Sequence, residues 1–245
     1  MQRYTTATHT ALIFTAEPVF AAVFGILLDG DVVTPHLIAG GALILAGAVM
    51  SEVDWSIHTA AVVSRYLAPH YVLAACFVLV GLHDPGGWRP GIQWVLTVGL
   101  PAFLMLLGVF ALALRNGTIS DWHVSERKER LEPLLVISSL IVGGLPALLL
   151  YIFRGPRFLL GAAVSAYALI LVNLLITTFW KISQHASAVA LGTTLLTVSF
   201  GAAAAPSLLL IPLVAWARVK IGAHTPAQVI AGAVTGVSVT LATLS

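Results

Sequence analysis

Long apolar runs separated by short polar segments make up most of the chain. A helix needs about 20 apolar residues to cross a bilayer, and candidate runs lie near 9–28, 35–51, 66–82, 92–114, 133–153, 158–180, 185–204, 205–217 and 225–244. Lipid offers the backbone no hydrogen-bond partner, and these runs are too long for barrel strands, so they are expected to be helices. The pattern predicts an all-α, polytopic transmembrane bundle of about nine spans, two N-terminal helices followed by a core of six or seven.

Composition agrees with a membrane protein. Hydrophobic residues make up 59% of the chain and charged residues 9%, whereas about a quarter of a soluble domain is charged. We therefore expect a multi-pass integral protein of a bacterial cell membrane. Lys and Arg fall in short clusters between apolar runs rather than in a basic stripe, which argues against nucleic acid as a partner. Cys76 is the single cysteine and the histidines show no metal-ligand spacing, so neither a metal nor another cofactor is expected.

The polar segments fall on one side of the membrane if every span crosses it. Counting crossings places 1–8, 51–65, 115–132, 181–184 and 218–224 on the same face, together with most of the 12 Lys and Arg residues. Such an excess of positive charge indicates the cytoplasmic face. Gly232 and Gly236, four residues apart in the last run, predict close packing of that helix against a neighbour.

Three basic elements on this face each precede an apolar run: 127–133 (R-K-E-R-L-E-P), 181–185 (K-I-S-Q-H) and 218–224 (R-V-K-I-G-A-H). Free backbone N–H groups and the helix dipole favour anions at a helix start. A neutral imidazole can attack a phosphate ester there while a second imidazole protonates the leaving oxygen and arginines stabilise the transition state. The pattern indicates a phosphate site.

The order and spacing of these residues resemble the type-2 phosphatidic-acid phosphatase (PAP2) superfamily over about 66–245. Its motifs run K-x6-R-P, P-S-G-H and S-R-x5-H-x3-D. Arg218 and His224 have the spacing of the third motif, Ser183 and His185 match the second, and Arg130 takes the place of the Arg in the first.

The chain also departs from each motif. His123 stands where the first motif has Lys, and Pro133 comes two residues late, so Arg127 or Lys128 is the candidate for the missing cation. Ile182 and Gln184 replace the Pro and Gly of the second motif, and Gln228 replaces the final Asp of the third.

The resemblance implies a metal-independent phosphohydrolase that acts on lipid or isoprenoid phosphates. His224 would form a phosphohistidine and His185 would be the general acid. Phosphate oxygens would be held by Arg218 together with Arg130, Lys181, Ser183 and Lys128. The alternative is a catalytically decayed PAP2-like membrane scaffold or transporter-associated protein, because the family's Asp orients the nucleophilic His and an amide brings no charge to that task.

Gln228 has a structural interpretation as well. Thr225-Pro226-Ala227-Gln228 has the form of a capping box, with Thr at the N-cap and Gln at the third helical position. Gln228 and Thr225 are thus candidates both for orienting His224 and for capping the last helix. The two roles are compatible, since a cap that pins the helix start also fixes the residue just before it.

Residues 3–52 resemble the last two helices of EamA-type drug/metabolite transporters. A pair of helices cannot enclose the central site of a carrier, so we interpret Glu17, an acid within the first apolar run, as structural. The predicted organisation is a two-helix EamA-like fragment over 1–52, a linker over 53–65 and a PAP2-like domain over 66–245.

Overall fold

The computed structural model describes residues 17–30, 32, 34, 36–41, 43–44, 55–83 and 85–245. In these ranges the chain forms helices joined by short turns, with no β-strand. The all-α prediction is therefore confirmed for the described residues. The chain divides into two compact units, 1–56 and 57–245.

The first unit contains helix α1 (Glu17–Phe24), which continues into a π-helical turn, Gly25–Asp29, and ends at Gly30 with φ of +72°. Residues 36–41, 43 and 44 are also helical. Glu17 lies exposed at the start of α1. The rest of the predicted EamA-like fragment lies outside the described residues, and that resemblance stays a prediction.

Helix α2 (Trp55–Tyr66) begins at the boundary of the units and is followed by α3 (Pro69–Leu82), α4 (Trp88–Arg115), α5 (Pro133–Ile152), α6 (Arg157–Phe179), α7 (Gln184–Phe200), α8 (Leu210–Lys220) and α9 (Pro226–Leu244). Helix α4 includes a π-helical segment, and short 3-10 helices, Glu129–Leu131 and Gly201–Leu209, precede α5 and α8. Pro69, Pro133 and Pro226 each occupy the first helical turn, where the missing N–H has no intrahelical partner to lose. Helix α2 occupies most of the range predicted as a linker.

Among the described residues, five helical stretches are long and apolar enough to cross a bilayer: Trp88–Arg115, Pro133–Ile152, Arg157–Phe179, Gln184–Lys220 and Pro226–Leu244. Helices α2 and α3, bent by 54° at the break between them, form a sixth if the pair is one span. These lengths and compositions fit a multi-pass membrane protein. The count of about nine spans is not confirmed by the described residues and stays a prediction.

The stretch Gln184–Lys220 folds back on itself. Its 37 residues would extend about 55 Å as one straight helix, yet the chain at its two ends meets. The Ser183 N–H, just before α7, donates at 3.3 Å to the carbonyl of Gln228, which lies in the first turn of α9, eight residues after α8 ends. The reversal falls at Gly201, whose φ of +67° and ψ of −150° suit glycine alone. Helices α7 and α8 therefore begin and end, respectively, at the same end of the bundle.

Helix α7 forms the centre of the second unit and is buried continuously from His185 to Leu195. Helix α9 packs against it through two glycines, as their spacing predicts. A Cβ on Gly232 would lie 2.6 Å from the Ser183 carbonyl oxygen, and a Cβ on Gly236 would overlap the Ser187 carbonyl oxygen. This close approach holds the start of α9 beside the start of α7, where the candidate site lies.

Candidate functional site

The turn between α8 and α9 fixes the positions of Arg218 and His224 relative to each other. Gly222 adopts φ of +69°, which lets the chain reverse after α8. The Arg218 carbonyl then accepts hydrogen bonds from the N–H groups of Ala223 at 3.1 Å and His224 at 3.2 Å. The five residues between Arg218 and His224 are thus the residues that end α8 and form the turn leading to α9.

Gln228 fills both roles that the sequence left open. Its side-chain oxygen Oε1 accepts from the Thr225 N–H at 3.2 Å, and its own N–H donates to Thr225 Oγ1 at 3.4 Å, which completes a capping box. The same Oε1 lies 3.0 Å from His224 Nδ1. Because the Thr225 N–H can only donate, the atom it meets must be the amide oxygen, and Nδ1 must carry the proton that completes the second bond. The lone pair of a neutral His224 is therefore on Nε2.

The environment of His224 keeps its imidazole neutral. Burial, the largest cause, lowers the pKa of His224 from 6.5 to about 4; the hydrogen bond to Gln228 opposes this, and the charges of Arg218, Arg130 and Lys181 add to it. The side chain is 6% exposed, and Nε2 has no hydrogen-bond partner among the described residues. At neutral pH His224 presents a buried, unprotonated nitrogen to a group of cations.

Arg218, in the last turn of α8, is 3% exposed and donates from Nη1 to the Ser64 hydroxyl at 2.7 Å. Ser64 is itself buried, on α2. The Arg218 Nε has no partner in the described part of the chain. Ser64 thus orients the guanidinium while leaving one of its buried donors available.

His185 lies in the first turn of α7, beneath an N-cap made by Ser183. The Ser183 hydroxyl accepts from the Ala186 N–H at 3.4 Å. His185 is 3% exposed, and its Nε2 is unpartnered among the described residues. The imidazole of His123 stacks on it, with ring centroids 5.5 Å apart and planes inclined by 19°.

The other basic residues of the candidate site differ in their burial and contacts: Arg130, Arg127, Lys128 and Lys181. Arg130 is 5% exposed and ties the polar loop to the start of α7, donating from Nε to the Val124 carbonyl at 2.8 Å and from Nη1 to the Ile182 carbonyl at 2.9 Å. Burial lowers the pKa of Arg130, opposed by two carboxylates, and it stays charged at neutral pH.

Arg127 donates to the carbonyls of Thr177 at 3.0 Å and Thr178 at 2.9 Å, at the end of α6. It therefore satisfies carbonyls at a helix C-terminus, and its role as a phosphate-binding cation stays a prediction. Lys128 is exposed beside it, and Lys181 is half-buried within the electrostatic range of His224.

Buried positive charge dominates this end of the bundle. Arg218 and Arg130 are both buried and repel each other, and Asp121 is the carboxylate that acts on both. Burial raises the pKa of Asp121, but hydrogen bonds from the His123 and Ser125 N–H groups outweigh it, and the net pKa lies below the usual 3.8. Buried cations without full compensation are costly, so this cluster favours an anion.

Seven buried side-chain polar atoms lack a hydrogen-bond partner among the described residues, and three belong to this cluster: His185 Nε2, His224 Nε2 and Arg218 Nε. Buried polar groups are almost always satisfied, so the concentration of unsatisfied ones is informative. An oxyanion could accept from Arg218 and from a protonated His185 while His224 approaches its central atom. Within the described ranges no group of three His, Cys, Asp or Glu residues could hold a metal ion.

A cavity of about 160 Å³ adjoins the cluster. Its walls include His123, which stacks on His185, and Gln184, which precedes His185 in the sequence. The other walls consist mostly of apolar side chains, among them Leu73, Leu106 and Phe110. The cavity offers an apolar compartment beside the polar cluster.

No protein family, curated protein or solved structure was found that matches the chain. The site is therefore defined by its own geometry.

Ser64 and Val124 belong to this end of the bundle although no motif includes them. Val124, a β-branched residue at φ of +46°, is strained and turns its carbonyl to Arg130. Ser64 lies in the range predicted as a linker, 53–65, and nothing in the sequence signals the backbone conformation of Val124.

Proposed function

We propose that the chain is an integral-membrane phosphohydrolase that acts on lipid or isoprenoid phosphates through a phosphohistidine intermediate, as a divergent relative of the PAP2 superfamily. The observation that carries the proposal is the set of buried, unpartnered atoms His185 Nε2, His224 Nε2 and Arg218 Nε in one cationic cluster. These are the nucleophile, acid and anion-binding groups that phosphate transfer to an imidazole requires.

In the first step His224 Nε2 attacks phosphorus, the N–P bond forms and the bond from phosphorus to the ester oxygen breaks. The proton on Nδ1, held by Gln228 at 3.0 Å, stays in place and fixes the reacting tautomer. His185 gives its proton to the departing alkoxide. The negative charge of the bound ester favours the protonated form of this ring, which the cluster otherwise opposes.

In the second step water attacks the phosphohistidine, the N–P bond breaks and inorganic phosphate leaves. The now neutral His185 takes a proton from the water, so the enzyme returns to its starting state. Arg218 neutralises the charge that develops on the equatorial oxygens in both steps. The proposed reaction uses no metal.

The apolar cavity supports an amphiphilic substrate. It shares His123 with the polar cluster and is otherwise lined mainly by hydrocarbon. A phosphate bound beside His185 would leave the alcohol portion of the ester facing this space. The phosphate of a long-chain or isoprenoid ester would occupy the polar cluster and its alcohol portion the apolar cavity. A small polar ester would leave the cavity empty.

Gln228 favours the second candidate function, a catalytically decayed scaffold. A neutral amide orients His224 but supplies no charge to stabilise the cationic phosphohistidine, and the same amide is committed to capping α9. Replacing an orienting carboxylate by an amide costs about 10⁴-fold in a serine-protease triad. A scaffold would keep the fold and the cap while losing phosphate release.

A single assay of phosphate release distinguishes the phosphohydrolase from the scaffold. Purified protein in detergent is given diacylglycerol phosphate and isoprenyl phosphates in EDTA, and phosphate release is measured for the wild type, His224→Ala and His83→Ala. His83 stacks on Phe200 at the far end of α7 from His185 and serves as the matched control. We expect release by the wild type and His83→Ala but not by His224→Ala. Equal rates in all three proteins would reject the enzyme.

A further inference from the structure

His123 is a third imidazole at the cluster, outside the three residues to which the proposed chemistry assigns a role. Its ring lies parallel to that of His185, with centroids 5.5 Å apart. The side chain is 29% exposed and also borders the apolar cavity. It therefore stands between the buried reactive groups and the space through which an ester would approach.

The loop around His123 is fixed by its own hydrogen bonds. The Asp121 carboxylate accepts from the His123 N–H at 2.6 Å and from the Ser125 N–H at 3.2 Å. Val124, at φ of +46°, brings its carbonyl to Arg130. A β-branched residue adopts this conformation only where its surroundings enforce it. These hydrogen bonds hold the backbone of the loop at the position from which the His123 imidazole stacks on His185.

Burial and the surrounding charges together set the protonation of His123. Burial lowers the pKa of His123 below 6.5, Arg218 lowers it further, Asp121 raises it and Arg65 lowers it. The imidazole of His70 also interacts with it from α3. The titratable and charged groups that face it are Asp121 in its loop, Arg65 on α2, His70 on α3, His185 on α7 and Arg218 on α8. With no anion bound, burial and the two arginines outweigh Asp121, and the ring is neutral at slightly alkaline pH.

An anion at the cluster reverses this balance. A tetrahedral dianion beside His185 and Arg218 compensates the arginines that hold His123 neutral and adds negative charge of its own. The two negative charges of the dianion offset protonation of both stacked imidazoles, His123 and His185, which would otherwise repel each other. A lysine at this position would carry a fixed charge, whereas histidine acquires one only when the anion arrives.

We propose that His123 is an anion-binding residue of the site that takes up a proton when the phosphate group binds. The inference rests on the proposed function for the location of the phosphate. If His123 takes up a proton in this way, binding of the substrate consumes a proton. The affinity for the ester therefore falls as pH rises through the neutral range.

Calorimetry of sulfate binding tests the proton uptake directly. Sulfate is a tetrahedral dianion that does not titrate near neutral pH, so any proton taken up belongs to the protein. Binding to the detergent-solubilised protein is measured at pH 7.5 in two buffers of different ionisation enthalpy, for the wild type, His123→Lys, His123→Gln and His83→Gln. The difference in apparent enthalpy gives the number of protons taken up per sulfate.

We expect the wild type and His83→Gln to take up about one proton more per sulfate than His123→Lys. His123→Lys should retain binding that depends little on pH, and His123→Gln should bind at least about tenfold more weakly than the wild type, in line with loss of one charged contact. Equal proton uptake by the wild type and His123→Lys would overturn the inference and leave the phosphatase proposal intact.

The inference and the proposed function fail differently. If no protein binds sulfate, the anion site itself is wrong and both are rejected. The NMR titration of histidines labelled with carbon-13 needs no lysine variant: in the wild-type protein, saturating sulfate should raise the pKa of the resonance that His123→Gln removes by at least about two units, as uptake of about one proton at pH 7.5 requires. An unchanged pKa would reject the role of His123 even where sulfate binds.

Discussion

A substitution at Gln228 tests the site most specifically, because the Gln228 Oε1 atom both caps α9 and orients His224. The substitution Gln228→Glu keeps the side-chain length and the acceptor for the Thr225 N–H, and a carboxylate at this helix position is favoured by the capping box and the helix dipole. The cap should therefore survive. What changes is the charge beside the His224 ring.

The expected shift follows from the separation of the two groups. Gln228 Oε1 lies 3.0 Å from Nδ1, which places the charge centres of a carboxylate and an imidazolium about 4 Å apart and their interaction near 4 kcal/mol at an effective dielectric constant of ~20. That equals about three pKa units. Gln228 is half-buried, so solvent reduces the effect to roughly two or three units, and the pKa of His224 should rise from about 4 to between about 6 and 7.

Titration of histidines labelled with carbon-13, assigned by His224→Ala, measures this pKa in the purified protein. Gln93→Glu introduces the same change about 33 Å along α4 from its end at Arg115 and should leave the resonance unchanged. If the enzyme proposal holds, phosphate release by Gln228→Glu also increases at least about tenfold, because the carboxylate stabilises the cationic intermediate. A shift below half a unit would refute the contact between Gln228 and His224.

The remaining predictions concern positioning, packing and pH. Ser64→Ala should lower kcat/KM for phosphate release about tenfold by loosening Arg218, and should destabilise the protein by about 1–3 kcal/mol because a buried Arg218 donor loses its partner; an unchanged kcat/KM would contradict that role. Gly236→Ala should destabilise the protein by about 1–3 kcal/mol in thermal unfolding because the added methyl meets α7, whereas Gly108→Ala, with open space around it, should be neutral or stabilising. His224 binds its proton more weakly in the folded state, at a pKa of about 4, than when unfolded, near 6.5, so it should contribute up to about 3 kcal/mol to the loss of stability as pH drops from 6.5 to 4; in His224→Ala the loss should be smaller by that amount.

The sequence predicts the helices well, because uninterrupted apolar runs have few other solutions in lipid. Their number is harder to obtain. The runs 185–204 and 205–217 are joined as one helical stretch that turns at Gly201, and the pair α2 and α3 is either one bent span or two elements. Hydropathy measures the length of a run and does not reveal where the chain reverses within it.

The candidate site was partly predictable because helix termini leave sequence signatures. The capping box at Thr225 and Gln228, and the glycine that precedes His224, are both local features, and the spacing of Arg218 and His224 follows from them. The contact of Arg127 with the carbonyls at the end of α6 could not be predicted from the sequence, because these partners lie 50 residues away in the chain. Ser64 escaped notice for the same reason, being 154 residues from the arginine that it orients.

The central claim is that His224 becomes phosphorylated, and trapping the intermediate tests it most directly. Protein mixed with a phosphorus-32-labelled lipid phosphate is denatured in alkali, which preserves phosphohistidine, and the labelled peptide is identified by mass spectrometry. We predict acid-labile label on the peptide that contains His224, present in the wild type and in His83→Ala and absent from His224→Ala. Phosphate release by the wild type with no label on that peptide would contradict the mechanism.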